Sequence, residues 1–99
     1  MIFGVPPGAR RGEHAHRQCQ EFLVCASGSC DVLVEDGVHS EKFSLSGPRT
    51  GLYLPPMVWR TMEKFSPDAV LVVLASDPFD EADYVRDRAE FLRLVRAAG

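Results

Sequence analysis

The sequence lacks any apolar run approaching the ~18 residues that a membrane-spanning helix needs, so no membrane partner is expected. It lacks a basic surplus as well. Lys and Arg number 11 against 14 Asp and Glu, for a net charge of −3. Tracking phosphates along a nucleic acid requires the opposite balance, which excludes a general nucleic-acid binder. Cysteine is sparse and odd in number, at Cys19, Cys25 and Cys30. No second Cys/His pair stands at ligand spacing, so a cysteine-based zinc site is not expected. Met1 to Pro7 is short and has no basic start, so no export signal is read there. Sparse cysteine without such a signal points to reduced thiols and a cytoplasmic location.

What remains is an ordinary globular composition. The chain has 99 residues, 45% apolar and 25% charged. That is enough for one core and not for two, so residues 1–99 are expected to form a single domain. No internal repeat or low-complexity segment is present.

Turn residues punctuate the chain about every ten positions. They are Pro6-Pro7-Gly8, Ser27-Gly28-Ser29, Glu35-Asp36-Gly37, Ser46-Gly47-Pro48, Pro55-Pro56 and Ser66-Pro67-Asp68. Between them lie runs of strand formers at 21–26, 30–34, 42–45, 51–54 and 69–75. Short strands at this spacing predict an all-β sandwich or barrel over residues 1–76. Asp36-Gly37 suits a hairpin, because glycine accepts a positive φ without steric cost. The run Val70 to Leu74 is apolar on both faces, which predicts a strand covered on both sides, by a partner subunit if not by the chain itself. Residues 77–99 read as a helical segment. Tyr84, Arg88, Phe91, Leu92 and Val95 recur at helical spacing, with Asp80, Glu81 and Asp83 before them. Packing on the barrel as a lid is the bland role for that helix.

The informative pattern is Gly8, His14, His16, Glu21 and Gly28, at the spacing Gly-x5-His-x-His-x4-Glu-x6-Gly. Two histidines two apart on a strand share one face. A neighbouring strand then brings Glu21 toward the same cavity. Two imidazoles and a carboxylate can hold a divalent metal, and they can equally move protons. This pattern resembles the first motif of the cupin superfamily. The second cupin motif, Pro-x-Gly-x-x-His, is met only in part by Pro55-Pro56-Met57-Val58-Trp59-Arg60. Met57 replaces the glycine, and Arg60 stands where the last metal-binding histidine would be. A guanidinium is no metal ligand and repels a cation.

The likeness extends along the chain. Residues 11–17 (RGEHAHR), 22–25 (FLVC), 27–30 (SGSC), 51–60 (GLYLPPMVWR), 65–70 (FSPDAV), 74–76 (LAS) and 79–87 (FDEADYVRD) resemble the sugar 3,4-ketoisomerases related to WxcM-like proteins. The resemblance implies a small cupin, jelly-roll-like barrel with a C-terminal helix. It implies an isomerase that moves the keto group of a dTDP-linked 4-keto-6-deoxyhexose from C4 to C3, in deoxyamino-sugar biosynthesis. It further implies a homodimer, no metal and no cofactor. His14 and His16 are then the acid and base candidates, since imidazole titrates near working pH. Arg11 and Arg60 are candidates for binding substrate or stabilising charge. Glu21, Tyr53 and Trp59 complete the candidate substrate-binding set.

Two departures from the family pattern stand out. The family usually has glutamine where this chain has Glu21. It also has tyrosine on the strand where this chain has Met1, Ile2 and Phe3, and a segment with further strands ahead of it. Without those strands an unpaired sheet edge is expected.

Blander roles compete for each residue. The histidines can be ordinary surface groups on a strand. Glu21 can be a pocket carboxylate paired with an arginine. Arg11 and Arg60 can be surface ion pairs. Tyr53 and Trp59 can be packing residues, although a thymine ring can stack on an aromatic face. His39 reads as a solvated turn residue. Two other functions stay open. One is a metal-dependent cupin enzyme using His14, His16 and Glu21. The other is a non-catalytic or impaired short cupin that binds or senses a sugar nucleotide.

Overall fold

The computed structural model describes residues 2–4, by backbone alone, and residues 10–98. The turn at Pro6-Pro7-Gly8 lies outside the described residues. The order of elements is β1 (Ile2–Gly4), β2 (Arg11–His16), β3 (Glu21–Ser27), β4 (Ser29–Glu35), β5 (Ser40–Ser46), β6 (Gly51–Leu54), β7 (Trp59–Glu63) and β8 (Val70–Ala75). A single 3₁₀ turn (Glu81–Asp83) leads into β9 (Tyr84–Val85), and helix α1 (Arg88–Ala98) ends the chain.

All strand pairs are antiparallel and fall into two sheets, β1-β8-β3-β6 and β5-β4-β7-β2-β9. The expected all-β fold with a C-terminal helix is present. The sheets face each other without joining into a closed hydrogen-bonded barrel among the described residues. Alternation along the strands builds the core between them. Leu23, Cys25 and Leu71 point inward from one sheet and Cys30, Val32, Leu45 and Met62 from the other. The Asp36-Gly37 turn closes the β4–β5 hairpin as expected. Gly37 has φ +98, and Asp36 Oδ1 accepts from the Val38 and His39 amides.

A second, smaller core lies on the outer face of the five-stranded sheet. There α1 lays Phe91 against Ala15, Trp59 and Val85. Trp59 and Phe91 have ring centroids 5.7 Å apart. Asp87 caps the helix by accepting from the Ala89 amide, which satisfies a free N–H of the first turn.

One expectation is corrected here. The helix begins at Arg88, so Tyr84 belongs to a strand and not to a helix face. Within the chain the strand covered on both faces is β7, where Trp59 to Met62 are all buried, while β8 is covered on one. The reason is where α1 packs. It covers the sheet containing β7, and it leaves the outer face of β8 open, with Leu74 59% exposed.

Candidate active site

Strand β2 places the two histidines, and a β-bulge sets their aim. Pairing with β7 runs Gly12↔Thr61 and then His14↔Arg60, so Glu13 is an extra residue in β2. Gly12 has φ +82 and Glu13 has φ 51, backbone that glycine adopts at no cost and glutamate does not. A Cβ on Gly12 would also sit 3.0 Å from the Arg60 carbonyl oxygen. The bulge carries the Gly12 carbonyl back to His14, whose Nδ1 lies 2.9 Å from it. A carbonyl only accepts, so Nδ1 of His14 carries the proton and Nε2 faces inward as a lone pair.

His16 is pinned in the same way from another direction. Its Nδ1 lies 2.9 Å from Asp83 Oδ2, and its Nε2 lies 3.2 Å from His14 Nε2. The two rings meet edge to face at 4.9 Å. The Tyr84 ring packs against both, at 4.9 Å from His14 and 4.4 Å from His16. That contact follows from register, because His16 and Tyr84 are directly opposed on β2 and β9. Met57 also serves the site: its amide donates to the His16 carbonyl at 2.7 Å. Met57 sits at φ 59, which explains why a glycine suits this position of the motif.

Glu21 and Arg60 form a buried pair. Arg60 is fully buried and donates from Nη1 to Glu21 Oε1 at 2.5 Å, and from Nη2 to the Val58 carbonyl at 3.1 Å. Its Nε has no partner among the described residues. Burial pulls Arg60 below the ordinary arginine value, and the charge and hydrogen bond of Glu21 oppose that. The other oxygen of Glu21 lies 3.6 Å from His16 Nε2.

His14, His16, Glu21, Asp83 and Tyr84 line a cavity of about 550 Å³, a normal size for a small-molecule site. Burial pushes His14 down to about 4, with the Arg60 charge acting the same way and the Gly12 carbonyl opposing. His14 is therefore neutral near pH 7. Burial raises the Tyr84 phenol, and the Glu21 charge adds to this, so the phenol stays protonated.

Several sequence expectations separate at this point. His14, His16, Glu21 and Arg11 line the cavity together. Arg11 is exposed at its rim and pairs with no carboxylate among the described residues; it donates only to the Arg10 carbonyl. Arg60 does not reach the cavity wall, because Glu21 and Val58 occupy it inside the core. Tyr53 does not line the cavity either. It lies on the outer face of its sheet and donates to Gln20. Trp59 is buried under α1. Gly8 of the motif lies outside the described residues. His39 is exposed in its turn, and all three cysteines are free and buried.

Sequence reasoning missed the contribution of the tail. Phe79, Asp83 and Tyr84 all line the cavity. Phe79 is 73% exposed and packs on Tyr84 at 5.5 Å. The signal in the sequence was the family likeness of residues 79–87, which assigned no site role to any of them. The signal for Tyr84 was masked by its helical spacing to Phe91.

His14, His16 and Glu21 put ligand atoms within 4.8 Å of one another, the number of donors a divalent metal uses. One oxygen of that carboxylate is already held by Arg60, and Arg60 occupies the fourth position of the motif. The Arg60 charge therefore lies directly beside this donor set and opposes a second cation there.

Residues 1–96 match the family described as WxcM-like, C-terminal. Over 94 residues the chain is 43% identical to the TDP-4-oxo-6-deoxy-alpha-D-glucose-3,4-oxoisomerase of Aneurinibacillus thermoaerophilus, covering 95% of this chain and 68% of that one. Among solved structures, a 3,4-ketoisomerase from Helicobacter canadensis superposes with a TM-score of 0.91 at 38% identity, covering 97% of this chain and 74% of that one. A sugar 3,4-ketoisomerase from Thermoanaerobacterium thermosaccharolyticum, in complex with TDP, gives 0.92 at 31% identity, covering 99% and 74%. With its cavity, its histidine pair and this likeness over nearly its whole length, the chain belongs to the WxcM-like family of sugar 3,4-ketoisomerases.

Proposed function

We propose that this protein isomerises a dTDP-linked 4-keto-6-deoxyhexose to its 3-keto form by proton transfer through an enediol, without a metal or cofactor. The observation that carries this reading is the pair of inward-facing imidazole nitrogens 3.2 Å apart in a cavity of substrate size.

The reaction moves two protons and no electrons to or from an acceptor. The proton on C3 is acidic because it lies α to the C4 ketone. Its removal gives an enediolate, and a proton then arrives at C4. The hydroxyl proton on O3 is lost as C3 becomes the ketone, and O4 gains one. His14 is neutral and partly exposed to the cavity, so its lone pair is the group we place against the C3 proton. His16 is 3% exposed and lies behind it, beside two carboxylates. Those charges accommodate a proton passing between the rings. Arg11, exposed at the rim without a carboxylate partner among the described residues, is the cation we assign to the diphosphate. Glu21 and Arg60 neutralise each other beneath the site and fix its floor. Phe79 offers an exposed ring at the cavity mouth for the thymine base.

We further propose a cytoplasmic homodimer of single-domain subunits. Tyr53, Phe22 and Leu74 are register neighbours across β6, β3 and β8, and they are 52%, 41% and 59% exposed. That row is an apolar strip, which a second copy buries. Three free, buried thiols fit a reducing compartment.

The test is proton exchange by NMR. The protein is incubated with dTDP-4-keto-6-deoxyglucose in D2O, with and without chelator. Deuterium entering at C3, followed by a 3-keto product in both samples, is the expected result. Loss of turnover with chelator would redirect the reading to a metal-dependent enzyme using His14, His16 and Glu21. No exchange at all would favour a binding or sensing module.

A further inference from the structure

The tail segment Asp80 to Val85 is held unusually well for so short a piece of chain. Asp80 accepts from the Ala82 amide, and the Asp83 amide donates to the Asp80 carbonyl at 3.0 Å. The Asp83 carbonyl accepts from the Arg17 amide at 2.9 Å. Backbone contacts therefore fix Asp83 on both sides, directly beside the loop that follows β2.

Its carboxylate is fully used. Oδ1 accepts from the Gln18 amide at 2.7 Å, and Oδ2 accepts from the Cys19 amide at 3.2 Å and faces His16 Nδ1 at 2.9 Å. Burial alone would raise this acid. The Gln18 amide, His16 and the Cys19 amide outweigh it and hold Asp83 below the usual aspartate value. An ionised carboxylate accepts and never donates, so the proton on this side of the ring belongs to His16. Nε2 of His16 is then the nitrogen left to face His14 Nε2, 3.2 Å away, a hydrogen-bond distance once a proton lies between them. Three other groups face His16 from neighbouring elements: Glu21 and the Tyr84 ring on the cavity side, and Cys19 beside Asp83. None of them offers Nδ1 a better acceptor.

We propose that Asp83 is a positioning residue for the isomerisation. It holds His16 in the tautomer protonated at Nδ1 and so reserves Nε2 for the proton in transit. His14 needs no such side chain, because the bulge already gives it the Gly12 carbonyl. The pair is thus locked from outside by one backbone and one side-chain acceptor. The catalytic part of this inference rests on the proposed function; the tautomer part does not.

The two oxygens of Asp83 make Asp83→Asn a specific test. An amide has one oxygen, and the Gln18 amide, which makes the shortest of the three bonds, keeps it while the weaker Cys19 amide bond is lost. The NH2 then replaces Oδ2 and meets His16 Nδ1 as a donor. His16 must answer with a lone pair at Nδ1 and carry its proton on Nε2, the wrong side for transfer. The experiment is imidazole 15N NMR on the full chain near pH 7, with His14→Asn and His39→Gln used for assignment. Wild-type His16 is expected to be protonated at Nδ1, and in Asp83→Asn the proton should move to Nε2. In parallel, kcat should fall roughly 100-fold or more while KM changes less than about threefold. Wild-type His16 protonated only at Nε2 would overturn the inference even if the variant does not fold. So would an unchanged tautomer in Asp83→Asn, or a kcat that matches wild type. An inactive wild type with the expected tautomers would instead defeat the proposed function and leave the positioning geometry standing.

Discussion

Removing the buried cation beneath the site should cost stability, and the structure sets the amount. Arg60 is fully buried, and its one charged partner is Glu21, which is 12% exposed. Breaking a buried pair by deleting one partner costs about 3–5 kcal/mol, because the other charge is left behind. Arg60→Met also removes the unpartnered Nε, a burial penalty of about 1–3 kcal/mol. The net loss is therefore about 2 kcal/mol. In a chain of this length that lowers Tm by roughly 8–16 °C. Glu21→Met should cost at least as much, since it strands a guanidinium that solvent cannot reach. The double variant leaves no charge in the core and should recover most of the loss, to within about 1 kcal/mol of wild type. Urea unfolding of the four proteins measures all of this. If the two single losses simply add in the double variant, the residues do not act as a pair. If Arg60→Met and Glu21→Met both match wild type within about 0.5 kcal/mol, the assignment of this pair to the core is wrong.

Three further outcomes are expected. If the proposed chemistry runs through both rings, His14→Asn and His16→Asn should each lower kcat by about 100-fold or more, while the circular-dichroism melt stays close to wild type because neither side chain belongs to an apolar core cluster. Phe79→Ala should raise KM several-fold with kcat nearly unchanged, read by steady-state kinetics, since it removes a ring at the cavity mouth and nothing at the histidines. The third concerns pH. Folding lowers His14 from 6.5 to about 4, so below pH 6.5 the unfolded chain binds a proton that the native chain refuses. Stability should fall as pH drops from about 6.5 through about 4, and His14→Asn should flatten that part of the curve.

The site's first half was readable because it depends on local rules. Alternation puts His14 and His16 on one face whatever the rest of the chain does. Asp36-Gly37 makes its turn for equally local reasons. Arg60 was visible as a replacement for a ligand. Its neighbourhood was not, since β7 is buried on both faces and its Trp-Arg-Thr-Met run carries no period of two. The same loss of pattern hid β7 as a strand. In the tail, periodicity misled. Tyr84 lies seven residues before Phe91, two helical turns, yet it pairs with His16 on a strand only two residues long.

The sequence by itself therefore determined the all-β plan, the paired histidines and a carboxylate facing them. It did so through turn chemistry and side-chain alternation, which act over a few residues. Only the tertiary structure decided that Arg60 is buried against Glu21 in the core, away from the cavity wall. It alone brought the Asp83 carboxylate, 67 positions along the chain, to 2.9 Å from His16 Nδ1. Those choices depend on which sheet α1 covers and where the tail crosses β2, and long-range packing of that kind leaves no local pattern to read.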